Sequence, residues 1–427
     1  MIENESPVYS KRYRRFVLFA LTGVYIFNFI DRQILVILQE SIKSDLDLSD
    51  TQLGLLTGFS FAIFYVTLGL PVARLADRRS RRNIITVALT IWSAMTALSG
   101  LAANFWQLLL ARIGVGIGEA GGSPPAHSMI SDYYPKEQRA TALSIYSMGI
   151  YIGILLGYLL GGWLDEYFGW RKALMVLGIP GIAYAILFYF TVQEPVRGHA
   201  DNIAAREIEM PSLMDVIRLL ISRKSFIYIA IACGLNSFVL YGVGNWTPSF
   251  LVRLHGMESG EIGTWLSMTI GVGGALGIWL GGYLGDRYGQ VEPKWYLIIP
   301  AIAILISTPF TLIFLFSSSK YMVLGSIAGY KILWTLYLAP SIAMAHSLVG
   351  IRMRALASAV LFLVLNLIGL GLGPVFFGFV SDYLNPAYGA EALRWSLSLS
   401  LIASLLAAYL FWKGSRFLKE DIEQAPV

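Results

Sequence analysis

Five ionisable residues stand inside stretches otherwise built for lipid. Asp31 and Arg32 are neighbours in Gly23-Val-Tyr-Ile-Phe-Asn-Phe-Ile-Asp-Arg-Gln-Ile-Leu-Val-Ile-Leu38. Arg112 and Glu119 lie in Leu110-Ala-Arg-Ile-Gly-Val-Gly-Ile-Gly-Glu-Ala-Gly-Gly-Ser123, and Lys331 interrupts a third apolar run. A charge at the centre of a membrane helix costs about 2.5–3.5 kcal/mol or more, so such groups face a cavity, find a partner and serve a function. The chemistry open to them is proton binding. The proton affinity of a carboxylate in this setting responds to desolvation and to any nearby arginine. Protonation frees that arginine for an anion or for another carboxylate, which links proton occupancy to conformation. The plain alternative is a static, fully paired network that fixes two helices.

Geometry limits the pairing. Arg112 and Glu119 are seven residues apart, so they share one helix face, two turns from each other. Asp31 and Arg32 are adjacent and cannot face each other squarely. Asp31 with Arg112 and Arg32 with Glu119 is one consistent assignment, and the converse is also open.

The elements that must hold these groups are membrane helices. Of the 427 residues 56% are hydrophobic and 14% charged, where a soluble domain has about 25% charged. Apolar runs long enough to span a bilayer fall at 16–39, 51–76, 83–103, 105–131, 141–164, 171–192, 225–252, 262–284, 295–316, 321–346, 355–380 and 393–413. The predicted class is an all-α integral membrane protein of twelve spans. The basic start and the long run behind it do not fit a cleavable signal peptide. Most Lys and Arg fall on the side that carries both ends. The opposite loops hold only Lys43, Arg171, Lys172, Arg253, Lys320 and Arg394. By the positive-inside rule both termini are expected in the cytoplasm.

The segment 193–224 divides the chain into 1–192 and 225–427, each predicted to hold six spans. Its end, Pro211-Ser-Leu-Met-Asp-Val-Ile-Arg-Leu-Leu-Ile-Ser222, has an amphipathic pattern. It is predicted as a surface helix capped by Ser212, with Asp215, Arg218 and Ser222 on its polar face. The net charge of +5 requires no nucleic acid. His127, His199, His255 and His346 are scattered without metal-ligand spacing, and Cys233 is the single cysteine. No Gly-x4-Gly-Lys-Ser/Thr loop is present, so neither ATP nor any cofactor is expected.

The same punctuation occurs twice, in the same order. Ala76-Asp-Arg-Arg-Ser-Arg-Arg82 follows span two, and Gly281-Gly-Tyr-Leu-Gly-Asp-Arg-Tyr-Gly289 follows span eight. Span five carries glycines at 153, 157, 161 and 162, and span eleven at 369, 373 and 378. Such small-residue rows predict close helix packing, here expected between the two halves. Arg139-Ala-Thr-Ala is echoed by Arg354-Ala-Leu-Ala.

Two similar six-helix halves joined by a polar loop resemble the major facilitator superfamily, whose halves rock about a central cavity. The copy from Gly282 to Gly289 matches the family's loop motif, whereas Ala73 and Ser80 stand where the first copy usually has glycine. The resemblance implies a gating role for Asp77, Arg78, Asp286 and Arg287. In span five Tyr158 replaces the proline found in many exchangers, which weakens an antiport reading. Asn28-Phe-Ile-Asp-Arg32, Ala111-Arg-Ile-Gly-Val-Gly-Ile-Gly-Glu-Ala120 and Ser131-Asp-Tyr-Tyr-Pro135 resemble the spinster family within that superfamily. That likeness implies a proton-linked site of Asp31, Arg32 and Glu119, supported by Arg112. It also implies a lysolipid-like, amphiphilic substrate; the length and compact loops suggest a bacterial protein, hence an inner-membrane location.

The expected activity is therefore proton-coupled secondary transport by a monomer in the lipid bilayer, not enzyme catalysis. Lys331, Asn236, Asn366 and Trp246 are the candidates for substrate binding. Lys331 would offer a point charge, and the others amide or indole hydrogen bonds. The rivals are a carrier of small organic anions and, from another class, a membrane-embedded lipid enzyme.

Overall fold

A bilayer offers no partner for backbone polar groups, so an apolar chain satisfies them within its own helices. The computed structural model describes residues 9–198, 212–350 and 353–426, and no strand occurs among them. His199 and Pro211 lie outside the described residues. Helices stand at each predicted position. The first six are Lys11–Ile37, Asp50–Arg78, Arg81–Ser99, Phe105–Glu119 with Ser123–Tyr133, Lys136–Phe168 and Trp170–Thr191. Then come Lys224–His255, Ser259–Gly289, Trp295–Phe316, Lys320–Ser347, Arg354–Val364 continuing to Tyr388, and Ala392–Ser415.

Among the described residues nine segments are long and apolar enough to cross a membrane. The last, Leu356–Ser415, is 60 residues long and holds both final spans, parted by the turn at Gly389–Glu391. The third and fourth predicted spans fall outside those nine. The outer face is apolar, with Phe190 78% and Trp106 69% exposed, as a lipid-facing girdle requires.

Span four departs from expectation. It ends at Glu119, turns through 120–122 and restarts at Ser123 with prolines in its first turn. Prolines are tolerated there because that turn's N–H groups have no helical acceptor. Spans two, eight and eleven each contain a π-helical stretch, at Leu55–Phe59, Ser267–Val272 and Leu365–Leu372.

The termini lie at one end, with the linker. The hydroxyl of Tyr13 donates to Thr191 O and accepts from Gln193 N, and Arg223 donates to Gln424. This is the linker end, and the opposite one is the far end. The linker helix forms as Leu213–Ser222, with Ser212 accepting from Asp215 N at 3.1 Å. It does more than lie on a surface: Val216 and Leu220 are buried against Phe226, Ala357 and Leu361.

The glycine rows correct the packing expectation. Most of the row in span five receives span one: a Cβ on Gly153 would stand 2.6 Å from Phe29 Cβ, and one on Gly157 2.8 Å from Gln33 Cβ. The row in span eleven receives span seven in the same way, at Ser237 and Phe238. Only the far-end glycines, Gly162 and Gly378, meet the other half of the chain, at Ser259 and Asp50.

Candidate functional site

Spans one and four bring four of the predicted charges together. Arg32 Nε donates to Glu119 Oε2 at 2.7 Å. Its guanidinium lies 5.0 Å from the Phe29 ring and 4.8 Å from the Tyr65 ring, within cation–π range. Asp31, Arg112, Glu119 and Asn28 are all buried. Of the two predicted pairings, Arg32 with Glu119 is formed. Asp31 feels the charges of Arg112 and Glu119 and has the Thr96 hydroxyl within reach, yet no hydrogen bond of good geometry is formed at either of its oxygens. Arg112 Nε and Nη1, Glu119 Oε1 and Asn28 Oδ1 are also without partners.

Glycine sets this geometry. A Cβ on Gly118 would lie 2.8 Å from Trp92 N, and one on Gly121 2.7 Å from Ala88 Cβ. Span four therefore rests directly on the backbone of span three up to the point where it breaks, and Glu119 stands at that break. A buried carboxyl group whose oxygens hold no donor can gain or lose a proton without breaking a hydrogen bond. A buried, half-satisfied polar network is costly, and here it sits at the junction of a broken helix with span one.

The candidate substrate residues separate into two groups. Lys331 is half-buried, and no ion pair or hydrogen bond holds its amine among the described residues. Its Nζ reaches to 3.8 Å from where a Cβ on Gly244 of span seven would stand. Asn366 is likewise half-buried, within the π-helical stretch of span eleven. By contrast, Asn236 is fully buried and donates to Trp334 O at 3.0 Å. Trp246, also fully buried, donates to Pro374 O at 2.9 Å. These two tie span seven to spans ten and eleven, and in this conformation they offer a substrate no surface.

A profile of the Major Facilitator Superfamily matches residues 21–374. The chain is 33% identical over 408 residues to an MFS-type efflux pump of Mycolicibacterium smegmatis, covering 95% of this chain and 93% of that protein. A sphingosine-1-phosphate transporter of Danio rerio is 27% identical, covering 94% of this chain and 84% of that one. The crystal structure of a bacterial homologue of the human lysosomal transporter spinster, inward-facing and unoccupied, superposes with a TM-score of 0.88. It shares 33% identity and covers 97% of this chain and 99% of its own. The chain belongs to the major facilitator superfamily, in its spinster family. It is a multi-pass membrane transporter and not an enzyme.

The hydrogen bonds between the two halves of this spinster-family chain cluster at the far end. After span one a short helix, Gln39–Leu46, leads to Asp47 in the left-handed conformation (φ 49°). A capping box of Ser49 and Gln52 then starts span two. That turn presents Glu40 and Asp50 to Arg253 of span seven, which binds both at 2.7–2.9 Å. Lys43 and Ser381 also donate to Asp50. Asp382 accepts from the backbone N–H groups of Asp50 and Thr51 at 2.9 and 2.7 Å. Between spans five and eight, Asp165 accepts from Ser41 and Ser259, and Glu166 from Gly260 N. None of these residues carried a predicted functional role.

The linker end is different. Asp77, Arg78, Asp286 and Arg287 are exposed. Asp286 accepts from Tyr296 Oη at 3.2 Å, and Arg287 donates to Tyr283. No arginine pairs with either aspartate among the described residues. Arg81, from the same basic loop, is instead 1% exposed. It binds Asp132, Glu194, Ser128 and Pro195 O. Burial alone would raise the carboxyl pKa of Glu194, but the Arg82 N–H, Arg81 and Ser80 outweigh it and hold it below the usual range. This cluster ties the first half of the chain to the start of the linker and reaches no residue of the second half.

Proposed function

We propose that the chain is a proton-coupled secondary active transporter that moves an amphiphilic, lysolipid-like substrate by alternating access. The observation that carries the reading is Asp31: buried, held by no ion pair and with no hydrogen bond of good geometry at either oxygen, beside the Arg32–Glu119 pair and Arg112. A proton on either carboxyl group changes which partner Arg32 and Arg112 hold, and with it the fit of span one against span four. The Danio rerio relative, a sphingosine-1-phosphate transporter, supports a substrate with a polar head and an apolar tail. Lys331 and Asn366 are the groups left to meet that head.

The halves are taken as 1–192 and 225–427, joined by 193–224, in a monomer. Bonds at the far end and exposed motif residues at the linker end support a state open toward the linker. With both termini in the cytoplasm of a bacterial cell, that state faces inward. Asp77, Arg78, Asp286 and Arg287 would then engage when the linker end closes.

The test uses proteoliposomes and a fluorescent lysophospholipid, with and without a pH gradient. Gradient-dependent movement lost in Asp31→Asn supports both coupling and substrate class. Movement indifferent to pH in both proteins would make Asp31 structural. The unpaired Lys331 favours one second reading, transport of small organic anions. Gradient-driven uptake of a labelled organic anion, with no movement of the lysophospholipid, would favour it.

A further inference from the structure

The buried carboxyl groups must exchange protons with water, and the cavity side offers them poor access. Glu119 is fully buried, while the Arg32 side chain that covers it is 16% exposed and cationic. A guanidinium does not deprotonate in a protein, so Arg32 repels an approaching proton and cannot relay one.

Another face of span four leads to the same carboxyl. Below the break, Ser123, His127 and Ser131 recur every four residues, about 6 Å of rise between each, and Ser123 is the fourth residue after Glu119. Met129, Ile130 and Ala126 of the same helix are buried with Trp92, so the polar stripe looks away from span three. It looks toward spans one and five. The Ser123 hydroxyl lies within reach of the phenols of Tyr25, on span one, and Tyr146, on span five. Those two rings stack at 4.4 Å with 4° between planes. The His127 ring stands edge-on to Tyr146 at 5.3 Å and 79°, and His127 is exposed. One turn above Tyr25, Asn28 lies against Glu119. The polar groups thus form a file from an exposed imidazole, through hydroxyls, to the buried carboxyl.

We propose that this file is the proton path from the linker end to Glu119 and Asp31, with His127 taking the proton from water. The inference rests on the proton-coupled reading above. Imidazole is the only side chain whose ordinary pKa places its charge change between pH 5 and 8. Tyr146 faces the ring from span five, and Ser123 and Ser131 flank it on its own helix. No charged side chain among the described residues acts on it. Further along, Arg139 donates to Ser131 O at 2.7 Å and Tyr134 O at 3.3 Å. In one transfer His127 binds a proton at one ring nitrogen and releases one from the other. Ser123 passes it on by accepting at oxygen while giving up its own hydrogen, and water spans the gaps. The carboxylate ends protonated, and no other bond is made or broken.

The test follows charge displaced in reconstituted protein on a solid-supported membrane after a pH jump, with no substrate added. His127→Gln is expected to leave the total displaced charge and its midpoint pH unchanged, and to slow the relaxation about tenfold or more. Free imidazole in the buffer is expected to restore the rate. Ser123→Ala is expected to slow it and Ser123→Thr to preserve it. A wild-type rate in His127→Gln, or slowing that imidazole does not relieve, overturns the path. A wild-type protein that displaces no charge, or charge that persists in both Asp31→Asn and Glu119→Gln, instead sinks proton coupling itself.

Discussion

Two clusters of carboxylates and arginines hold this transporter together, and they are built on opposite principles. At the far end, Arg253 binds Glu40 and Asp50, Asp50 also takes Lys43 and Ser381, and Asp382 is filled by two backbone N–H groups and the Thr51 hydroxyl. Between spans one and four, one bond joins Arg32 to Glu119, and Asp31 and most of Arg112 are left without partners. A satisfied cluster defines one arrangement, because any movement costs bonds. An unsatisfied one has alternatives of similar energy. On the proposed mechanism the first acts as a latch and the second as a switch.

Breaking the latch should have the largest effect. Removing one partner of a buried, hydrogen-bonded ion pair costs about 3–5 kcal/mol. Here that cost falls only on the far-closed state. Arg253→Ala should therefore raise far-side labelling of a cysteine placed at Asn245, beneath Gln39 in the seam, by about a hundredfold or more. The native Cys233 is buried and gives little background. Asp31→Asn, which leaves every bond of the latch in place, should raise that labelling far less; a rise as large as that of Arg253→Ala would erase the distinction. Next in size is Gly162→Ala. Its Cβ would meet Ser259 O at 2.3 Å, and overpacking of that kind costs about 1–3 kcal/mol. About a tenfold gain in the same labelling is expected.

The smallest effect concerns the Glu194 cluster, which joins no halves. Its folded pKa is depressed, so its contribution to stability is complete above the unfolded value of about 4.3. That contribution disappears as pH falls through the folded value. Thermal melts of Glu194→Gln should lack this part of the acid decline and show wild-type labelling at the far end. An acid limb as steep as wild type would mean that Glu194 is not linked to folding.

The switch was legible in the sequence and the latch was not. Asp31, Arg32, Arg112 and Glu119 stand out because their surroundings are apolar, and helix spacing admitted Arg32 with Glu119 as one of two open pairings. Glu40, Asp50, Arg253 and Asp382 sit just beyond the predicted apolar spans, where charges are ordinary. The bond from Arg253 to Glu40 joins residues 213 apart, and no local pattern carries that. One missed feature did have a signal: Gly121-Gly-Ser-Pro-Pro125 marks a helix restart, yet span four was expected to run through it. The small-residue rows correctly announced close packing but not the partner, since spacing says how near a helix can come and not which helix comes.

The seam at the far end has a thermodynamic consequence. Gly162 and Gly263 set spans five and eight backbone to backbone, and Gly54 and Gly378 do the same for spans two and eleven: a Cβ would meet Ser259, Tyr158, Pro374 or Asp50 carbonyl oxygen within 2.6 Å. A contact made by main chain has few rotamers to freeze. Long side chains each lose up to about 2 kcal/mol of rotamer entropy when they are immobilised; glycine has none to lose. Under the proposed alternating access this surface would open and reseal in every cycle. With little disorder to remove at each closure, resealing along the glycines is fast, and the energy of the closed state is left to the few ion pairs that cross it.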